Sequence, residues 1–323
     1  MRKIGVMTSG GDSPGMNAAI RSIVRKSIYE GLQVVGIMRG YEGLIDGELI
    51  NMDSRSVSNI LGLGGTILKT ARSERFMTEE GQKQAVEVIK KNDIDALIII
   101  GGNGSLQGAH ILHEKWGIPN IGLPGTIDND LGHTDYTIGS HTSVHTVLDA
   151  VDKIRDTVSS MERIYVVEVM GRKEPYIAIN AGLACGAEEI LYPGKKHSLE
   201  DMAREIRDAE KKGKRSWIII VSEGYGHAPE LSEWIKTNTG FSARAVVLGH
   251  IQRGGSPLAP DRILASTMGA RAVEAVLQGD SDKMVAVRAR SLFLVSYQQT
   301  CFERDKDREF YRQAYALTKL LAT

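Results

Sequence analysis

Lys3-Ile4-Gly5-Val6-Met7-Thr8 leads into Ser9-Gly10-Gly11-Asp12-Ser13-Pro14-Gly15 and then into the amphipathic stretch Met16 to Glu30. An apolar run, a glycine turn and a helix in succession predict the unit from which parallel sheets are built. The pattern recurs along the chain. Strands are expected at Lys3 to Thr8, Gln33 to Met38, Ile94 to Ile100, Asn120 to Leu123, Ile164 to Met170, Trp217 to Val221 and Ala245 to Leu248. Helices are expected at Met16 to Glu30, Thr78 to Lys91, Ser105 to Trp116, His141 to Ser160, Leu199 to Lys212, Ala259 to Gln278 and Arg304 to Leu321. Several strands lack polar alternation, which predicts helices on both sheet faces. Gly31, Gly117, Gly213 and Gly279 follow helices where a left-handed cap needs no Cβ. The fold class is α/β, with a mainly parallel sheet.

Composition narrows the function. A chain of 323 residues is a soft prior for two domains. Forty Lys and Arg balance forty Asp and Glu, so no bulk field favours nucleic acid or an anionic membrane, and any anion must be met locally. Two cysteines, Cys185 and Cys301, build no disulfide framework and suit a reducing cytoplasm. Met1-Arg2-Lys3 starts like a leader, but Thr8-Ser9-Gly10-Gly11 interrupts the apolar run, and no aliphatic stretch approaches a membrane span. A soluble cytoplasmic protein is expected. Its 35 glycines fall in short clusters, which points to tight turns at a site rather than to a linker.

Two strands end in glycine turns that open helices, Ser9 to Gly15 and Gly101-Gly102-Asn103-Gly104-Ser105. There the backbone can approach a ligand closely, and helix-opening N–H groups favour an anion such as phosphate. Gly10 and Gly15 are spaced as in a P-loop, but Met16 and Asn17 stand where Lys and Ser/Thr are required. The dinucleotide spacing is absent too, and the second strand ends at Arg39 rather than at an acid for a ribose. Lys69, Arg72 and Arg75 form one short polar stretch that either neutralises phosphate or is simply solvated. After the fourth strand, Pro124-Gly125-Thr126-Ile127-Asp128-Asn129-Asp130 is either a turn held by Asx hydrogen bonds or a source of a carboxylate base.

In combination these motifs resemble the bacterial-type ATP-dependent 6-phosphofructokinases. Thr8-Ser9-Gly10-Gly11-Asp12-Ser13-Pro14-Gly15-Met16-Asn17, Pro124 to Asp130, Val169-Met170-Gly171-Arg172 and Leu248-Gly249-His250-Ile251-Gln252-Arg253-Gly254-Gly255 occur in family order, with similarity from Arg2 to about Asp282. The resemblance implies two unequal α/β domains, residues 1–139 plus 252–301 for ATP and 140–251 plus 302–323 for the sugar phosphate, with the active site in the cleft between them. It implies that Asp128 is the base for the sugar 1-hydroxyl with Thr126 and Asp130 beside it, and that Arg72, Arg172 and Gly11 serve the transferring phosphoryl group. Gly11, Tyr41, Arg72, Ser73, Gly102, Asn103, Gly104 and Ser105 match the nucleotide positions. Met170, Gly171, Glu223 and His250 match sugar contacts, and Arg163, Arg244 and Arg253 match the grip on its 6-phosphate, the first two donated by a neighbour in a homotetramer. Mg²⁺ would arrive with ATP. An ADP-like or otherwise phosphorylated effector would meet Arg21, Arg25, Arg55, Arg155, Glu188, Lys212 and Lys214.

The chain departs from that pattern in places. Asn103 replaces an Asp that supports Mg²⁺, so metal support should weaken. Ser54 stands where one branch of the family has an arginine, with Arg55 adjacent. Lys173-Glu174-Pro175-Tyr176 replaces a smaller stretch and is expected to alter which sugar fits. Ser140-His141 replaces an aromatic-containing pair. Gly104 and Gly125 are the residues of ATP users, where pyrophosphate users typically carry Asp and Lys. These departures keep open a kinase for another ketose phosphate or a weakly catalytic regulatory subunit. His141 and His145, at i and i+4, are read as polar packing rather than a zinc site, Cys185 as a small core residue, and Met161 and Met170 as packing around a strand.

Overall fold

The computed structural model describes residues 1–302 and 308–322. They form two compact units, Met1–Thr142 with Arg253–Lys306 and Ser143–Gln252 with Asp307–Thr323. In the first unit the chain runs through β1 (Lys3–Ser9), α1 (Met16–Tyr29), β2 (Gln33–Ile37), α2 (Gly40–Asp46), β3 (Leu49–Met52), α3 (Glu79–Lys91), β4 (Ala96–Gly101), α4 (Asn103–Trp116) and β5 (Asn120–Pro124). The helix α5 (Ser140–Met161) leads out of it. The second unit adds β6 (Ile164–Val169), α6 (Tyr176–Ala184), β7 (Glu189–Leu191), α7 (Leu199–Lys211), β8 (Trp217–Ser222), α8 (Ala228–Thr239) and β9 (Ala243–Val247). The chain then completes the first unit with α9 (Ala259–Leu277), β10 (Lys283–Arg288) and β11 (Ser291–Ser296), and α10 (Arg308–Leu321) belongs to the second. The expected helix Arg304 to Leu321 is thus found from Arg308, and 304–307 lie outside the described residues.

The first sheet has the order β11-β10-β5-β4-β1-β2-β3. Its five central strands are parallel, and antiparallel β3 and β11 close the two edges. From β1 the chain moves outward to β2, but from β4 it moves the opposite way to β5, so the order reverses between β1 and β4. Open α/β sheets collect ligands at such a reversal. Alternation explains the unbroken aliphatic run in β4. Ile98 and Ile100 pack with Ile20 and Met268 on one face, while Leu97 and Ile99 pack with Leu106 and Ile89 on the other. The second sheet, β7-β8-β6-β9, is wholly parallel.

Seven elements were not expected from the sequence: β3, α2, α6, β7, α8, β10 and β11. The β10–β11 hairpin turns at Ala289 and Arg290, both left-handed at φ 47° and 69°, without the Asn-Gly signature such turns favour. Instead Asp135 braces the turn by accepting the Ala289 N–H at 2.8 Å. α2 is broken in sequence by Gly40 and Gly43, and α6 is apolar on nearly every side, which erases periodicity. Met161 corrects another expectation, because it is 49% exposed and packs no core, whereas Met170 is buried.

Asp261 joins distant segments of the first unit. Fully buried near the start of α9, it accepts the Gly139 N–H at 2.9 Å, the Thr142 N–H at 2.7 Å and the Thr142 hydroxyl at 2.5 Å. A carboxylate at the opening of α5 satisfies donors that the helix cannot, and favours its dipole. Asp261→Asn turns an amide N–H toward those donors, so it should lower stability by about 2–3 kcal/mol, read as a fall in the urea midpoint. An unchanged midpoint would remove Asp261 from this role.

Candidate active site

Strand register brings the candidate residues together. Ser9 pairs with Gly101, and Gly101 pairs with Pro124, so β1, β4 and β5 end at one level. Immediately beyond lie the two glycine turns and the acid loop. A cavity of about 400 Å³ is lined by Ser9 to Asp12, Ala71 to Ser73, Gly102 to Ser105, Gly125 to Asp128, Asp130 and Arg253, all of the first unit. Gly10 adopts φ 86°, and a Cβ there would stand 3.2 Å from the Ser105 hydroxyl oxygen. A Cβ on Gly11 would collide with the Arg253 guanidinium, whose Nε is buried without a hydrogen bond. Glycine therefore leaves room for a ligand where two turns and an arginine converge.

The acid loop is braced from outside itself. Ile138 donates its N–H to the Pro124 carbonyl at 2.8 Å, and the Thr137 hydroxyl donates to the Thr126 carbonyl at 2.6 Å. The Asp128 N–H donates to the Thr126 hydroxyl at 3.3 Å, and left-handed Asn129 reaches the Asp135 carbonyl at 3.0 Å. Asp128 and Asp130 are thereby held at the cavity. The turn reading of this loop is borne out by these hydrogen bonds.

The basic stretch divides. Arg75 pairs with Glu42 at 2.7 Å and Asp46 at 2.8 Å; the Ser73 hydroxyl and then Arg75 lower the Glu42 carboxyl pKa, and Arg75 lowers that of Asp46. Arg72 lines the cavity with no acidic partner among the described residues, while Lys69 does not line it. Ser73 donates to Glu42 at 2.5 Å and turns its segment toward the cavity. Asn17, at the place of a P-loop Ser/Thr, is buried. It donates to the Leu63 and Gly64 carbonyls at 3.2 Å and accepts the Ile67 N–H at 2.8 Å. That scaffolding role, and the cavity positions of Asp12, Ala71 and Ile127, were not read from the sequence.

Tyr41 lies elsewhere than expected. It is outside the cavity lining, stacked on Phe76 at 4.0 Å between centroids, and donates to the Ser105 carbonyl at 2.6 Å. Burial pushes its phenol pKa well up. Asn103 opens α4 two residues earlier than expected, makes no cap, and accepts the Gln107 side-chain N–H at 3.0 Å through its carboxamide oxygen.

In the second unit the strand ends repeat the same logic. Val169 pairs with Ser222, which places Met170-Gly171-Arg172 beside Glu223, and Arg172 Nε lies 3.3 Å from the Glu223 carboxylate. Gly171 has φ 123°, and the Ser222 hydroxyl donates to its carbonyl. Glu174, Pro175 and Tyr176 are buried, so the bulk of the substituted loop points into the unit and only Lys173 reaches the surface. Arg163 precedes β6, and exposed Arg244 lies on β9 opposite Tyr165. His250 is exposed after β9.

Of the expected effector residues, Arg155 donates to the Cys185 and Gly186 carbonyls at 2.6 and 3.0 Å, and Lys214 pairs with Glu188 at 3.3 Å and donates to the Ala322 carbonyl. Lys212 is exposed after α7. In the first unit, Arg21 and Arg25 lie on α1, and Arg55 lies beyond β3. His145 is exposed and His141 leans on Tyr136 at 4.5 Å, so polar packing holds for His141 alone. Cys185 is buried, which pushes its thiol up to about 11.

Residues 3–276 match the family model described as Phosphofructokinase. The chain is 50% identical over 320 residues to an ATP-dependent 6-phosphofructokinase of Clostridium botulinum, covering 99% of this chain and 100% of that protein. It is 48% identical to ATP-dependent 6-phosphofructokinase 1 of Clostridium perfringens, with the same coverage. Among solved structures, phosphofructokinase from Saccharomyces cerevisiae superposes with a TM-score of 0.88 at 33% identity, over 100% of this chain and 47% of the yeast chain.

Two glycines of the cavity differ in the room around them. A Cβ on Gly125 would lie 2.9 Å from Ile100 Cγ2 and 3.0 Å from Met16 Cε, while Gly104 has nothing within 4 Å. Gly125→Ala should destabilise the protein by about 1–3 kcal/mol through overpacking. Gly104→Ala, in the first turn of α4, should be neutral or stabilise by up to about 1 kcal/mol. Urea denaturation of both variants checks the contrast, and equal midpoints would refute it.

Proposed function

This chain belongs to the phosphofructokinase family, and we propose that it transfers the γ-phosphoryl group of ATP to the 1-hydroxyl of fructose 6-phosphate, giving fructose 1,6-bisphosphate in glycolysis. The observation that carries this reading is the meeting of two glycine turns, the Thr126 to Asp130 loop and Arg72 around one cavity.

The opening N–H groups of α4 and the bare backbone at Gly10 and Gly11 receive the ATP phosphates. Asp128 takes the proton of the sugar 1-hydroxyl as that oxygen attacks the γ-phosphorus, and the bond to the ADP oxygen breaks in line, without a covalent phosphoenzyme. Thr126 and Asp130 position the acceptor. Arg72 and Arg172 oppose the negative charge that spreads over the transferring group, the task a P-loop lysine performs elsewhere. Gly11, Ser73 and Gly102 to Ser105 line the nucleotide, and Tyr41 positions Ser105 from beneath. The sugar is held by Met170, Gly171, Glu223 and His250, and its 6-phosphate by Arg163, Arg244 and Arg253, whose planar forks suit phosphate.

Mg²⁺ carried by ATP neutralises phosphate charge. Asp12, Asn103, Asp128 and Asp130 give the cavity a hard oxygen donor set that fits this ion. A homotetramer is the assembly we propose, with Arg163 and Arg244 serving a neighbour. The open edge of β9 supports it, because Val247 at the strand's end and Ile251 in the turn that follows are 55% and 57% exposed. A phosphorylated or ADP-like effector would use Arg21, Arg25, Arg55, Arg155, Glu188, Lys212 and Lys214. The working place is the cytoplasm, and among the described residues no helix is long and apolar enough to cross a membrane.

Asp128→Ser should lower kcat by roughly 10²–10⁴-fold with little change in substrate binding, the pattern of a lost general base. Steady-state kinetics with fructose 6-phosphate decide this, and turnover within threefold of the parent would exclude the role. Asn103→Asp should reduce the Mg²⁺ needed for half-maximal rate while leaving sugar-phosphate affinity nearly unchanged. Superimposable magnesium titrations would leave Asn103 only its contact with Gln107.

A further inference from the structure

Two turns along α4 from the cavity, a second cluster of donors has no part in the reaction above. His110 and Glu114 stand at i and i+4 on α4 and share a face. Asp282 comes from the residue just before β10, far away in sequence, and its Oδ1 lies 2.7 Å from His110 Nδ1. One ligand atom from each of the three residues lies within 4.8 Å of the others. We propose that His110, Glu114 and Asp282 bind a borderline divalent transition-metal ion, with Zn²⁺ as its representative.

Several features favour an ion over a simple hydrogen bond. Asp282 is fixed by its backbone: its N–H donates to the Asn120 carbonyl at 3.0 Å, and its carbonyl accepts the Tyr297 N–H at 3.2 Å. The neighbouring Lys283 ammonium is taken by Asp280 at 2.6 Å. Among the described residues neither Glu114 nor Asp282 has a Lys or Arg partner, so two carboxylates face one imidazole with no fixed cation. Buried Tyr297, edge-on at 6.4 Å, and half-exposed Phe302 at 6.1 Å flank the His110 ring. Glu114 is exposed and leaves the outer side open to water ligands.

One nitrogen and two oxygens suit Zn²⁺, Co²⁺ or Ni²⁺ better than Mg²⁺, which prefers oxygen alone. Tetrahedral Zn²⁺ with bonds of about 2.0–2.2 Å needs ligand atoms about 3.3 Å apart, so small side-chain rotations complete the site. His110 is seven residues beyond Asn103, about 10 Å along the helix, so this ion is separate from the one that accompanies ATP.

Titration of metal-free, untagged protein with Zn²⁺ by calorimetry, and with Co²⁺ by visible absorption, tests the proposal without any assay of turnover. One ion per chain is expected, undisplaced by millimolar Mg²⁺. His110→Ala and Asp282→Asn should each weaken binding by about 100-fold or more, since outer-shell losses alone reach 10–100-fold. Glu114→Gln alters an exposed side chain and keeps the test valid if the other variants fold poorly. It should weaken binding about tenfold and shrink the rise in thermal midpoint that Zn²⁺ gives the parent protein. Absence of Zn²⁺ binding by the parent, or binding unaffected by both His110→Ala and Glu114→Gln, would overturn the assignment.

Discussion

Everything at the candidate site depends on three buried strands ending in register. Ser9, Gly101 and Pro124 are paired across β1, β4 and β5, and the side chains below them alternate between two apolar layers. A slip of one residue would turn every core side chain to the wrong face, so the register is fixed by the whole core rather than by the site. The functional loops inherit that precision. They need only be short and correctly turned for their polar groups to meet above the sheet edge.

Polar contacts then sort the charges. Arg39 is locked by Glu48 at 2.6 Å and Asp46 at 3.1 Å, and Arg75 by Glu42 and Asp46. Such partly exposed pairs contribute little individually, but they leave Arg72 and Arg253 as the cations that line the cavity. In a chain with no net charge, the cavity thus sets two arginines, Arg72 and Arg253, among the carboxylates of Asp12, Asp128 and Asp130.

The fold class and the central strands were legible because an apolar run bounded by glycine is a local signal. The hairpin at Ala289-Arg290 was not, since a brace from Asp135 replaces the usual turn residues. The glycine turns and the Thr126 to Asp130 loop could be picked out for the same local reason. Their supports could not. Thr137, Asn17 and Asp261 act across gaps in the chain that carry no spacing rule, and the same holds for the separation of 172 positions from His110 to Asp282. Tyr41 shows the converse: a motif match placed it at the nucleotide, while its bulk and hydroxyl are used one layer lower, under Ser105.

Gly125 carries a consequence for substitution. Its missing side chain is filled by Met16 and Ile100, so the wall of the donor cavity and the hydrophobic core are made of the same atoms. Any side chain at this position would have to displace Met16 or Ile100, at a cost to the packing of the core. Gly104, in open space, presents no such obstacle. The two glycines therefore differ in what a side chain would cost: Gly125 is closed in by core atoms, and Gly104 is open.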